Sequence, residues 1–372
     1  MGETIYKTLD EVASIEFGTR VVKSKVAGTQ YPVYGGGGET FRIDSYNREN
    51  RVVVGRFALS KQCTRFVSGK FFLNDSGLTV KTKDATVLIQ DLLDKLILYS
   101  NDLIYNLARG AGQKNLNIND FKELKISFPL NIEKQQHIVK ILDKAEEIHT
   151  KKKLANEKLD EFLKSTFIDM FGDPVTNPKG YNIELIKNIG TVVTGNTPPR
   201  TNEEYYGNYI EWIKSDNINT PYTYLTKAEE YLSELGMQKG RVVPKNSILV
   251  TCIAGSFNCI GNVALTDRPV AFNQQINAII PEKKYINSAF LYEQLYIGKK
   301  LIQEKSTNSM KGMVSKSKFE TIKLILPDLK EQELFEKIFV EVEKQKEKNQ
   351  KVIEQMDNLF NSLMQQAFNS SL

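Results

Sequence analysis

Cysteine, histidine and tryptophan are scarce in this 372-residue chain, which carries three, two and one of them. Cys63, Cys252 and Cys259 form no CxxC pair, no Cys/His set with zinc spacing and no disulfide framework. His137 and His149 stand twelve residues apart on one helical stretch, too far along it to hold a single metal ion. No run approaches the ~18 apolar residues of a membrane span. The opening MGETIYKTLD has no basic start followed by an apolar run, so no secretory signal is expected and the expected location is the cytoplasm. There is no GxxxxGK-Ser/Thr phosphate loop, and the glycines at 35–38 lack dinucleotide-loop spacing. Asp102 with Glu123 and Lys125 fits a metal-nuclease pattern only loosely, since Thr321 takes the Glu123 place in the second copy described below. Charge of one sign is also weak: 50 Lys+Arg against 45 Asp+Glu give a net +5. That balance permits a nucleic-acid partner without arguing for one.

What the chain does contain is itself, twice. The segment from Tyr6 to Phe171 returns, much diverged, from Ile183 to Phe368. FKELKISFP (Phe121 to Pro129) lies over FETIKLILP (Phe319 to Pro327), and Glu133 to Ile138 over Lys330 to Phe335. LDEFLKSTFIDMF (Leu159 to Phe171) lies over MDNLFNSLMQQAF (Met356 to Phe368). At the openings, Leu9, Val12 and Gly18 fall on Ile186, Ile189 and Gly195. A period of about 180–200 residues is too long for a solenoid and marks a duplicated domain. With 41% hydrophobic and 26% charged residues, each copy can bury a core of its own.

Each copy opens with a mixed region. Arg51 to Leu59, Asn246 to Ala254 and Ile276 to Pro281 have the length and β-branched content of strands. Ala85 to Ser100 and Ile286 to Gln303 read as helices between them. Each copy closes with a long helix. From Ile132 to Phe171 there is no Gly or Pro, and apolar residues recur at a 3–4 spacing through Ile138, Leu142, Ala145, Leu159 and Phe162. Gly172 and Pro174 stop it. The second stripe runs through Phe335, Phe339, Val342, Met356, Leu359 and Leu363. Both stripes turn polar in the middle, at Lys152 and at Gln345 and Asn349. Nearly forty residues make a rod of roughly 55 Å, which would overhang one domain of this size. The expectation is an antiparallel, coiled-coil-like pair between two domains. The fold class is thus α+β, with mixed domains over 1–130 and 173–328, long helices over 131–172 and 329–372, and a pseudo-two-fold internal repeat.

This layout closely resembles the specificity subunit of type I restriction-modification systems, over essentially the whole chain. Four local motifs carry the resemblance in order, each twice. They are LDEVASIEFGTR (Leu9 to Arg20) with IKNIGTVVTGNTP (Ile186 to Pro198), and YPVYGGGG (Tyr31 to Gly38) with YIEWIKSDNI (Tyr209 to Ile218). FFLNDSGLTV (Phe71 to Val80) pairs with VAFNQQINAII (Val270 to Ile280), and the last is the exit into the long helix. The resemblance implies a non-catalytic reader of double-stranded DNA with two target-recognition domains, each contacting half of a split site. It implies helices that set the gap and dock methylation subunits, two per chain, with restriction subunits completing the complex. No cofactor is expected on this chain, and S-adenosylmethionine is expected on the methylation subunits. Half-sites read from one side of B-DNA lie about one turn, ~34 Å, apart, a separation that a rod of this length can span.

Candidate DNA contacts are the polar and basic residues of the variable regions, because phosphate contacts position and base-edge contacts specify. In the first copy they are Lys23, Lys25, Tyr34, Arg42, Arg56, Arg65, Lys114 and Asn115, with Gly35, Gly36, Gly37 and Gly38 allowing close backbone approach. In the second they are Thr197, Arg200, Trp212, Lys214, Asp216, Asn217, Asn273, Gln274, Lys311 and Lys316. For each, a solvated surface role is the competing reading. For Asn273 it is internal hydrogen bonding, and for Trp212 a place in the core. TPPR (Thr197 to Arg200) has Thr and Arg where the amino-methyltransferase motif needs an acid or amide and an aromatic ring, and reads as a turn. Three alternatives stay open. A nuclease or methyltransferase with an undetected site would act as purified protein. A coiled-coil adaptor would give no sequence-dependent DNA shift. A silent or phase-variable specificity gene product would have the fold without a partner.

Overall fold

The computed structural model describes residues 4–26, 28–307 and 312–368, without the side chains of residues 361 and 363–368. The chain forms two compact units. One holds the residues up to Lys153 together with those from Gln350 onward, and the other is Leu154–Asn349. Among the described residues no helix is long and apolar enough to cross a membrane.

The first unit begins with strand β1 (Thr4–Thr8), helix α1 (Leu9–Val12) and strands β2 (Ala13–Phe17), β3 (Tyr31–Gly35), β4 (Gly38–Ile43), β5 (Arg48–Gly55), β6 (Thr64–Leu73) and β7 (Gly77–Thr82). Helices α2 (Gln90–Tyr99) and α3 (Asn101–Asn106), strands β8 (Ala108–Arg109) and β9 (Asn115–Leu116), helix α4 (Ile118–Lys122) and strand β10 (Lys125–Pro129) lead into helix α5 (Ile132–Phe171). One sheet has the order β2-β7-β5-β6-β3-β4 and is antiparallel except where β3 runs parallel to β6. The all-apolar run of β5 has a simple cause, since successive side chains face opposite sides. Val52 and Val54 pack with Leu92, Leu93, Leu96 and Ile97 of α2, while Val53 joins Val67, Phe71 and Leu73 on the other face.

The second unit follows the same plan. It contains β11 (Ile183–Leu185), α6 (Ile186–Ile189), β12 (Gly190–Thr194), β13 (Tyr206–Ile213), β14 (Tyr231–Leu232), α7 (Glu234–Lys239), β15 (Val242–Val243) and β16 (Ile248–Thr251). Then come β17 (Ile253–Ala254), β18 (Val263–Leu265), β19 (Val270–Phe272), β20 (Ile276–Pro281), α8 (Ser288–Ile297) and α9 (Lys299–Gln303). Strand β21 (Gly312–Met313), α10 (Lys316–Glu320) and β22 (Lys323–Ile325) lead into α11 (Leu329–Phe368), of which the residues up to Asn349 belong to this unit. Its sheets have the orders β12-β20-β16-β18 and β14-β13-β19-β15, and β13 again runs parallel to β19. Phe167, Phe171, Phe290 and Phe335 form an aromatic knot in its core, with ring centroids 4.9–5.9 Å apart.

In both units the strand before the long helix is tied to the strand that opens the unit, β10 to β1 and β22 to β11. The repeated glutamine of the helix exit then anchors the first turn of the helix. Gln135 is fully buried; its Nε2 donates to the carbonyls of Val87 (2.7 Å) and Pro129 (2.8 Å), and its Oε1 accepts from the Ile89 amide (3.0 Å). Gln332 repeats this with the carbonyls of Tyr285 (3.2 Å) and Pro327 (2.8 Å) and the Asn287 amide (2.8 Å). These clamps also account for two late helix starts. The expected helix from Ala85 begins only at Gln90, because Asp84 holds a turn through Thr86 and Gln135 takes the Ile89 amide. The expected helix from Ile286 begins at Ser288 with Asn287 as its cap, and breaks at Gly298 before α9.

The long helices run as expected, each forty residues, and Gly172 at φ +78° ends the first. In the first unit Ile138 is half-buried against the core and Leu142 and Ala145 are buried, while the half-buried Met356 and Phe360 line one groove with Ala145 and His149. In the second unit Phe335, Phe339 and Val342 are buried and Leu159 packs on the same core. Two stripe residues are corrected. Phe162 is 50% exposed and Leu359 is 41% exposed. A 3–4 spacing allows either of two neighbouring residues to continue the stripe, and here the step is four. Leu163 then Phe167 carry the inner face of α5, and Phe360 carries that of α11. The Leu363 side chain lies outside the described residues. The polar middle is bonded: Lys346 donates to Asp160 (2.7 Å), Glu343 (2.9 Å) and Thr223 (3.1 Å), and Asn349 to Asn156 (2.8 Å).

Two expectations follow. Replacing Gln332 by Ala strands one amide and two carbonyls, and should lower stability by roughly 2–4 kcal/mol in urea unfolding; a loss under about 0.5 kcal/mol would remove the clamp from the account. The second concerns Glu293, buried on α8. Burial first, and Asp160 next, push its carboxyl up to about 8 against the opposing pull of Lys346. A raised carboxyl favours the neutral form, so its contribution is intact below the ordinary value of 4.5 and is lost as pH rises toward 8. Glu293→Gln should therefore stabilise the protein on the order of 3 kcal/mol at pH 8.5 and little at pH 5, read from melts across that range. An equal gain at both pH values would contradict this.

Candidate nucleic-acid interface

In the first unit the loops after β2, β3, β5 and β6 converge. Gly18 comes so close to the Asn74 carbonyl that an added Cβ would sit 2.0 Å from its oxygen, which requires glycine there. Gly35 backs onto the Ser76 side chain and Gly36 onto the backbone of Gly55 and Ser76, so these two glycines serve close approach within the protein itself, whereas Gly37 faces open space. Gly38 has φ +120°, and Arg65 beside it donates Nη2–H to the Gly36 carbonyl at 3.0 Å. Arg56 donates from its backbone amide to the Ser76 carbonyl and from Nη1 to the Asp75 carbonyl, and its guanidinium lies over the rings of Phe17 and Phe57. Lys114 sits over the Tyr105 ring at 4.4 Å, and the Asn115 side chain accepts from the Ala58 amide. The fold thus joins the glycine run, Tyr34, Arg56, Arg65, Lys114 and Asn115. Tyr34 is half-buried, edge-on to Phe71. Lys23 and Lys25 are exposed on a separate 3-10 turn, and Arg42 is exposed on β4, where it binds the Gln30 carbonyl and pairs with Glu39.

The second unit builds the corresponding place differently. Gly195 meets the Asn273 carbonyl as Gly18 meets that of Asn74, with an added Cβ 2.1 Å from the oxygen. Thr197 bonds Gln274, which is exposed. Arg200 and Lys214 both pair with Glu230, and Arg200 lies over the rings of Tyr206 (4.6 Å) and Trp212 (5.1 Å). Lys214, and then Arg200, hold the Glu230 carboxyl below the usual carboxylate range, against the opposing effect of burial. Asp216 is exposed on the turn that follows, and Lys316 is exposed with Glu320 as its helical neighbour at 3.6 Å. Lys311 lies outside the described residues.

Three of the candidate DNA contacts have their side chains engaged within the fold. Trp212 is 3% exposed and donates its indole N–H to the Asn196 carbonyl, because its strand is covered on that face. Asn217 accepts from the Lys214 amide and donates to Thr226 and Lys227, closing its own turn. Asn273, 7% exposed, bonds the amide and side chain of Gln275. Sequence reasoning missed Phe17, Phe57 and Asp75, which surround Arg56, and Glu230 and Tyr206, which surround Arg200. Phe17 and Phe57 adjoin residues already singled out, but Glu230 has no signal in the sequence.

The family model for the type I restriction modification DNA specificity domain matches the chain twice, over residues 3–158 and 178–357. The HindI specificity subunit of a type I restriction enzyme from Haemophilus influenzae is 30% identical over 170 residues, 44% of this chain and 36% of that protein. The MjaIX specificity subunit from Methanocaldococcus jannaschii is 36% identical over 118 residues, 31% of this chain and 26% of that protein. The matched stretches thus span well under two thirds of these curated relatives. Among solved structures, the S subunit of a type I restriction-modification system from M. genitalium superposes with a TM-score of 0.65 at 19% identity, covering 100% of this chain and 97% of that one. A chain from a study of type I restriction-modification complex assembly reaches 0.53 at 13% identity, covering 100% and 98%. With both of its repeats matched by one model, the chain belongs to the type I restriction modification DNA specificity domain family.

Proposed function

We propose that this chain is the DNA-specificity subunit of a type I restriction-modification complex, each mixed domain reading one half of a bipartite site. One observation carries the reading: the two units hold a common backbone frame and dress it with different side chains. The frame includes the close approach of Gly18 and Gly195, the parallel strand pairs and the glutamine clamps. The dressing differs where the loops converge, with Arg56 over two phenylalanine rings in one and the Arg200–Lys214–Glu230 group in the other. Two readers of one design with different chemistry suit two different half-sites.

In this proposal α5 and α11 form an antiparallel, coiled-coil-like pair that fixes the gap between the half-sites and docks two methylation subunits. The antiparallel contacts within each unit and the bonded polar centre around Asn156, Asn349 and Lys346 support it. A polar contact within an apolar seam fixes the register of a helix pair. The methylation subunits supply S-adenosylmethionine and adenine methylation, restriction subunits supply cleavage, and the chain itself supplies recognition, in the cytoplasm.

Exchanging residues 1–130 for the equivalent region of another such chain should change one half of the methylated motif and leave the other half and the gap as they were. Both halves changing together would contradict modular reading. Inserting about one turn into α5 should alter the gap alone, and an unchanged gap would remove the helix from its role as ruler.

A further inference from the structure

We propose that Arg56 is the guanine reader of the first unit, its guanidinium donating to the O6 and N7 of one guanine in that unit's half-site. The inference rests on the DNA-specificity reading above and assigns one of its contacts. It starts from charge. Arg42, Arg48, Arg109, Arg200 and Arg268 each pair with a carboxylate, whereas Arg56, like Arg20, Arg51, Arg65 and Arg241, makes no ion pair among the described residues; what sets Arg56 apart is its aromatic surroundings. Its guanidinium carbon lies 4.4 Å from the centroid of the Phe17 ring and 4.8 Å from that of Phe57. Nη1 donates to the Asp75 carbonyl at 2.8 Å, and Nε is buried without a hydrogen-bond partner. Of the five guanidinium N–H groups, three remain, all at the Nη1/Nη2 end. That end has the planar fork that matches the major-groove edge of guanine.

The mount is as informative as the side chain. The Arg56 amide donates to the Ser76 carbonyl at 2.9 Å, and its carbonyl accepts from Leu116 at 2.8 Å. The Ala58 amide donates to Asn115 Oδ1 at 3.2 Å, and the Leu59 amide to the Lys114 carbonyl at 2.9 Å. Ala58 is held at φ +49°, a left-handed conformation that a non-glycine residue adopts only under constraint. Side-chain and backbone freedom are therefore lost before any ligand arrives, the condition under which a single contact discriminates well. Phe17 and Phe57, the two rings against the cation, are 46% and 44% exposed. Apolar walls of this kind suit base edges and thymine methyls in a groove rather than a hydrated phosphate.

The second unit holds the same mount empty of this device. The Cys252 amide donates to the Gln275 carbonyl at 2.8 Å and its carbonyl accepts from Val314 at 2.9 Å, repeating the two backbone bonds of Arg56. Cys252 is 2% exposed, so the second unit must read its half-site by other groups.

The test compares DNA binding by the assembled complex carrying the native chain, Arg56→Ala or Arg56→Lys, on duplexes varied one base pair at a time. The proposal expects both variants to lose about 10–100-fold in discrimination at one G·C position of the first half-site only. Replacing that guanine by 7-deazaguanine should weaken the native complex to a similar degree and leave Arg56→Ala unaffected. Lysine keeps the charge and removes the fork, so it stands in where the alanine variant does not fold. A uniform loss over all sequences with a shallower salt dependence would make Arg56 a phosphate contact and overturn the proposal. So would a motif that neither variant alters. A native complex with no sequence preference would overturn the underlying specificity reading as well.

Discussion

A fully buried glutamine amide, satisfied on all sides by backbone, holds each long helix to the mixed region that precedes it. Gln135 and Gln332 each join three groups from two different segments, the strand that enters the helix and the loop that enters the covering helix. A side-chain amide is suited to this place because it donates and accepts from one planar group. A carboxylate there would face two carbonyl oxygens, and an apolar residue would leave three backbone groups without partners. The direction in which each helix leaves its domain is thereby fixed by hydrogen bonds of definite geometry. Apolar contact alone would let it slide.

Upon that anchor the two units share a frame that is indifferent to what it displays. Glycine at 18 and 195 lets a strand end pass against the carbonyl of an asparagine, and the parallel strand pairing places the next loops beside it. Backbone bonds do the positioning, so the side chains above them are free to vary. Arg56 and Cys252 illustrate this, occupying the same backbone hydrogen-bond pattern with opposite character, one clamped and partly open, the other buried with its thiol pushed up to about 12 by burial. On the proposed reading such a frame suits a duplicated reader, with stability written in the frame and specificity in the dressing.

The sequence made the duplication, the long helices and the mixed α/β character of each copy legible, because these depend on periodicity and on glycine and proline punctuation. It aligned Gln135 with Gln332 without showing their task, since partners such as Val87 and Tyr285 are distant in sequence. It chose Phe162 and Leu359 for the helix seam where Leu163 and Phe360 pack inward, because three- and four-residue steps are equally compatible with one face over a short stretch. Among interface candidates, residue type marked Arg56, Arg200 and Lys214, which the fold places at converging loops. It also proposed Asn217 and Asn273, whose amides close local turns, and it offered no route to Glu230. Polar side chains look alike in sequence whether they bond their own backbone or face outward, and only the fold separates the two.

The central claim is that this chain chooses the DNA sequence on which its complex acts. Sequencing adenine methylation across the genome of the source strain, with and without this chain, tests it most directly. The account predicts that one bipartite motif, two short halves separated by a fixed gap, disappears when the chain is removed and returns when it is restored. An unchanged methylation pattern, with no sequence-selective duplex binding by the assembled complex, would contradict it.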